Sequence, residues 1–103
     1  RTSLKATAPP RFPSVDRDIS ILVDDTTAAR SVRESVRALT LPHLADLREF
    51  DRYAGKGIPE GKVSLSLRLT FRAPDRTLTD SEVQSAMDDV MSALKEKHGA
   101  VQR

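Results

Sequence analysis

The chain has 103 residues, 38% hydrophobic and 31% charged, with a net charge of +2 and no cysteine. That size supports one two-layer core, the composition is too apolar for intrinsic disorder, and the missing thiols exclude disulfides and thiolate metal sites. So small a charge argues against binding nucleic acid through phosphates alone, and the lack of a membrane-length apolar run or signal-peptide core leads us to expect a soluble, cytoplasmic protein with no membrane partner.

Residues 1–13, RTSLKATAPPRFP, hold three of the six prolines and no periodicity, so they read as an extended lead-in or linker to a domain over 14–103. From Asp18 to Asp24, Ile19, Ile21 and Val23 alternate with Asp18, Ser20 and Leu22, the period of a half-buried strand. Asp25 or Thr26 is placed to cap a helix. Ala28 or Ala29, Val32, Val36 and Leu39 form its apolar stripe, and Leu41-Pro42 ends it.

A second strand is predicted over about Leu44 to Tyr53, with Phe50 anchored in the core. A glycine-rich loop with Gly55, Gly57 and Gly61 leads to a third strand over Lys62–Arg72. There Val63, Leu65, Leu67, Leu69 and Phe71 alternate with Ser64, Ser66, Arg68 and Thr70, so one face is core and the other meets water or a ligand. Thr79 and Glu82 satisfy the capping-box rule, with Leu78 stapled to Val83. Val83, Met87, Val90 and Leu94 form that helix's stripe, Gly99 stops it in the left-handed conformation, and AVQR is long enough for a last strand. Strand, helix, strand, strand, helix, strand is the order of an α+β, ferredoxin-like βαββαβ sandwich: a four-stranded antiparallel sheet with both helices on one face and the other face open.

The glycine loop enters a strand rather than a helix and lacks a Gly-Lys-Ser/Thr tripeptide, so it reads as a wide hairpin and not as a phosphate cradle. His43 and His98 stand alone without clustered carboxylates, and Asp24-Asp25 and Asp88-Asp89 suit a helix start and a solvated helix face. No nucleophile, base and orienter come together, and the acylphosphatase-like chemistry known on this fold needs an Asn that the chain lacks. Alternation in an unbulged strand puts Asp51 and Tyr53 on the open face, beside Asp18, Ser20, Ser64, Ser66 and Arg68. Tyr53 is then either a half-exposed sheet tyrosine or a platform for a nucleobase, and Asp51 can accept from a guanine's N1 and N2 groups.

FPSVDRDISILVD, the string FDxYxGxGIPxGKxSLxLRLTF with its following Leu-Thr-Asp helix start, and the ending HGAVQR carry a resemblance over Phe12 to Arg103. They resemble the ferredoxin-fold anticodon-binding domain at the C-terminus of bacterial phenylalanyl-tRNA synthetase β subunits. The resemblance implies that Tyr53 stacks on the first anticodon base of tRNA(Phe), a guanine, with Asp51 and Ser64 in contact with it. Lys62 and Arg68 flank that site, where exposed cations are expected to meet phosphates. Arg17, in the family's Arg-Asp pair, is either structural or a contact to the RNA backbone.

It further implies a non-catalytic part of a ligase, partnered by the rest of the β subunit and the α subunit of an α2β2 tetramer. ATP, Mg2+ and phenylalanine would bind the α subunit, leaving this domain without a cofactor. A single-chain organellar ligase ends in the same domain. Two other classes share the topology: a regulatory or dimerisation module binding a small effector, and a general RNA-recognition motif, whose third strand would need aromatics where this one has Ser64, Ser66 and Arg68.

Overall fold

The computed structural model describes residues 12–103, so most of the expected 1–13 lead-in lies outside the described residues. Six elements follow in order: strand β1 (Val15–Asp24), helix α1 (Ala29–Arg37), strands β2 (Leu44–Tyr53) and β3 (Lys62–Phe71), helix α2 (Asp80–His98) and the two-residue strand β4 (Val101–Gln102). The strands form one antiparallel sheet in the order β2-β3-β1-β4, the α+β, ferredoxin-like arrangement. β1 starts at Val15 rather than Asp18 because Val15, Asp16 and Arg17 pair with Phe71, Thr70 and Leu69.

β3 lies inside the sheet, and its apolar alternation supplies the floor of the core. Val63, Leu65, Leu67, Leu69 and Phe71 are buried with Ile19, Ile21 and Val23 of β1, Val32 and Val36 of α1, and Val83, Met87, Val90 and Leu94 of α2. Because both helices contribute to this one cluster, both cover the same face. Each such side chain contributes about 1.5–3 kcal/mol by leaving water.

The helix termini follow different rules. Asp25 and Thr26 do not cap α1. The Asp25 N–H donates to the Gly61 carbonyl and the Thr27 N–H to the Asp24 carbonyl, both at 2.9 Å. Ala28, extended and without a side-chain cap, precedes the helix instead. α1 also stops short of Leu41-Pro42: Leu39 and Thr40 turn back on the Val36 and Arg37 carbonyls, and Thr40 takes a φ of 51°.

α2 meets its expectation at both ends. The Glu82 N–H donates to Thr79 Oγ1 at 3.1 Å and the Thr79 N–H to Glu82 Oε1 at 3.0 Å, while Leu78 and Val83 are both buried. Gly99 closes the helix at φ 62°, its N–H on the Lys95 carbonyl and that of Ala100 on the Leu94 carbonyl.

β2 departs from simple alternation. Its register against β3 shifts between Leu44 and Asp46 and again between Glu49 and Asp51. The first shift turns Leu47 into the core and Arg48 outward; the second leaves Phe50 as an extra residue. Phe50 is therefore not a core anchor: it is 48% exposed, with the Arg68 guanidinium 5.0 Å from its ring centroid.

Leu67 is fully buried at the centre of β3. Leu67→Ala should destabilise the domain by about 2–5 kcal/mol through lost burial and the cavity left behind, out of a whole-domain stability of about 5–15 kcal/mol. A urea midpoint equal to that of the wild type would show that Leu67 does not pack as described.

The Arg76 guanidinium grips the Glu82 carboxylate through two 2.6 Å bonds. That contact, followed by the Thr79 N–H, lowers the Glu82 pKa from 4.5 to about 2. Since the folded state holds the depressed value, the stabilisation is fully present above pH 4.5 and is lost as the pH falls toward about 2. Glu82→Gln should lower the thermal midpoint near neutrality and lose that deficit in strong acid; parallel curves for the two proteins across this window would contradict the assignment.

Candidate nucleic-acid interface

The sheet face away from the helices is built in rows across the strands. Asp18, Arg68 and Arg48 form one row, Ser20, Ser66 and Asp51 the next, and Leu22, Ser64 and Tyr53 the third, with Asp24 beside Lys62 at the end. Val101 of β4 extends the third row, opposite Leu22. Arg103 extends the second, its N–H donating to the Ser20 carbonyl at 2.8 Å.

The shift at Phe50 is what puts Asp51 and Tyr53 on this face. Glu49 and Arg52 point to the helix side: Glu49 lies 3.9 Å from Arg33 of α1, and Arg52 donates to the Asp25 and Thr27 carbonyls ahead of it. Asp51 is exposed and Tyr53 is 40% exposed. The Tyr53 hydroxyl donates to the Lys56 carbonyl at 3.0 Å, and the ring tip abuts Gly55, so the glycine loop fixes where the ring stands.

Ser64 and Ser66 share the face but are buried, where the alternation predicts contact with water or a ligand. The Ser66 and Ser20 hydroxyls bond each other at 2.8 Å, and the Arg103 guanidinium donates to Ser64 Oγ at 3.1 Å. Each hydroxyl lies between flanking side chains of neighbouring strands and has a protein partner, which lets it be buried without a large desolvation cost. Ser64 is 2% exposed, and its hydroxyl is met by the side chain of Arg103.

The cations are already engaged. Lys62 Nζ lies 2.7 Å from Asp24 Oδ1. Arg68 forms a two-pronged pair with Asp18 at 2.8 and 2.9 Å. These bonds hold the Asp18 carboxyl below the usual carboxylate range and raise the Arg68 pKa. Arg48, opposite Arg68, is paired with Asp46 at 3.0 Å, so neither of these facing like charges is uncompensated. Arg17 does not join the others: its partner in the sheet is Leu69, on the helix side, and its guanidinium donates to Gln84 of α2 at 3.1 Å.

Phe50, Arg48 and Arg103 were not legible as members of this face. A signal for the first two existed: Leu47 and Tyr53 fall on one face of an unbulged strand, so burying Leu47 and exposing Tyr53 requires an inserted residue. Arg103 gave no local signal, because it reaches Ser64 only through the pairing of β4 with β1. Among the described residues no group of three or more His, Asp or Glu could hold a metal, and no helix is long and apolar enough to cross a membrane.

An exposed tyrosine beside an unburied carboxylate, on a sheet face with paired cations, offers an aromatic surface next to a hydrogen-bond acceptor. A model of the ferredoxin-fold anticodon binding domain matches residues 10–103. The chain belongs to that family.

Curated proteins similar to this chain include phenylalanine–tRNA ligase β subunits. That of Geobacillus kaustophilus is 40% identical over 94 residues, covering 91% of this chain and 12% of the relative. That of Clostridium tetani is 41% identical over 96 residues, or 93% and 12%. That of Syntrophotalea carbinolica is 46% identical over 90 residues, or 87% and 11%. The chain thus spans about an eighth of the length of the relatives it matches.

Gly55, at φ 131°, adopts backbone that L side chains rarely take. Gly55→Ala should cost about 1–3 kcal/mol of strain, or else the loop relaxes and the Tyr53–Lys56 hydrogen bond is lost. Urea denaturation with tyrosine fluorescence, Tyr53 being the chain's one tyrosine, reads both outcomes; an unchanged midpoint and spectrum would mean that the loop does not brace the ring.

Proposed function

We propose that this domain reads the first anticodon base of tRNA(Phe), a guanine, on behalf of a phenylalanine–tRNA ligase whose β subunit it ends. The observation that carries this is the pairing of Asp51 and Tyr53 on the open face, two residues apart and both exposed, beside Ser66 and Ser64. A guanine stacked on Tyr53 gains ~1–3 kcal/mol. Its N1 and N2 donors meet the Asp51 carboxylate, which adenine cannot satisfy. The Arg103 guanidinium, held at Ser64, offers donors suited to guanine's O6 and N7 acceptors.

The flanking cations play a smaller part. Lys62, with one contact to an exposed carboxylate, exchanges Asp24 for a phosphate at little cost, because such surface pairs are worth only ~0–1 kcal/mol. Arg68 is held by two bonds and contributes its position more than its charge. Arg17 is structural. ATP, Mg2+ and phenylalanine belong to the α subunit of an α2β2 ligase working in the cytoplasm, and this domain supplies recognition without catalysis.

Aminoacylation kcat/KM of the whole ligase, measured with wild-type and first-base-substituted tRNA(Phe) at two salt concentrations, tests the proposal. Tyr53→Ala should weaken tRNA binding by ~1–3 kcal/mol with little change in salt dependence. Asp51→Ala should reduce the preference for guanine over adenine. Lys62→Ala should flatten the salt slope by about one unit whatever the anticodon. If both Asp51→Ala and Tyr53→Ala leave the guanine preference intact while all tRNAs are charged equally less well, the face is a docking surface and not a base reader.

A further inference from the structure

Phe50 is an apolar ring held in water by a register shift, and it is more exposed, at 48%, than Tyr53 at 40%. The Arg68 guanidinium lies 5.0 Å from its centroid and is fixed from the other side by two bonds to Asp18. Arg68 thus cannot swing away without breaking a bidentate pair, and ring and guanidinium stand together as a preassembled layer. Aromatic rings and guanidinium planes are the two side-chain surfaces on which unpaired bases stack.

We propose that Phe50 and Arg68 form a second stacking platform, for the nucleobase next to the one on Tyr53. This rests on the anticodon reading of the open face. The two rings lie on one face of one strand, about 7–10 Å apart at a rise of ~3.3 Å per residue with one residue bulged, a gap that adjacent splayed nucleotides bridge. Arg48 stands opposite Arg68 in the same row, and its surface pair with Asp46 can be exchanged at little cost for the phosphate joining two such nucleotides. Asp51 lies between the platforms, so the carboxylate reads one base while repelling the backbone away from the centre of the face.

The test uses the whole ligase and tRNA(Phe) transcripts made abasic, in turn, at each nucleotide flanking the first anticodon base. For the wild type, loss of one flanking base should weaken binding roughly 5- to 100-fold. Phe50→Ala should weaken intact tRNA by a similar factor and lose nothing further on that abasic transcript, while Phe50→Trp should retain binding. If neither abasic transcript binds the wild type more weakly, there is no second stacked base. If Phe50→Ala weakens intact and abasic transcripts alike, the ring packs against the remainder of the ligase instead; either result overturns the proposal. Tyr53→Ala paired with a transcript abasic at the first anticodon base separates the two readings. Coupling there without coupling at Phe50 leaves the anticodon reading standing and removes the second platform. Coupling at Phe50 alone keeps that platform and removes the role given to Tyr53.

Discussion

Leu47 must face the helices and Tyr53 must face away from them, yet strict alternation along one strand would put both on the same side. The chain meets this constraint with one inserted residue, Phe50, between Glu49 and Asp51. The places of Asp51 and Tyr53 on the open face are set by it. Glu49 and Arg52 are turned inward to Arg33 and to the carbonyls before α1, while Asp51 and Tyr53 are turned outward beside the serines of β3. The glycine loop then holds the Tyr53 ring by its hydroxyl.

The inserted residue can do this because its partner strand does not yield. β3 is paired on both edges and carries five apolar residues into the core, so sliding it would expose the whole set at once. The irregularity is confined to β2, whose outer edge has no partner strand among the described residues. On the other face of β3, Ser64 and Ser66 are buried at no large cost, each with a partner reaching it from β1 or from Arg103.

How much of this was legible depends on the range of the interaction involved. The faces of β3, the Thr79–Glu82 box and the Gly99 stop are local patterns, and the structure has them where the sequence puts them. The start of α1 was misplaced because the loop before it is held by residues distant in sequence: the Asp25 N–H donates to the Gly61 carbonyl, and Arg52 donates to the Asp25 and Thr27 carbonyls. Phe50 was misplaced because its apolar character argued for the core, and only the tertiary fit of Leu47 overrules that. Arg103 was invisible for the same reason: its place is a property of two strands brought side by side, not of its own neighbours.

On the proposed reading, the ion pairs at Asp18–Arg68 and Asp24–Lys62 have a consequence for how an RNA would be found and let go. Cations already satisfied by carboxylates cast little field beyond the surface, so an RNA bound there would be drawn in only weakly from afar and held by its backbone through few contacts. Dwell time on such a face is governed by what stacks and what fits the base edge. On the anticodon reading proposed above, RNAs that share a backbone but differ at the base would leave at different rates, so sorting would be carried by the rate of departure rather than of arrival.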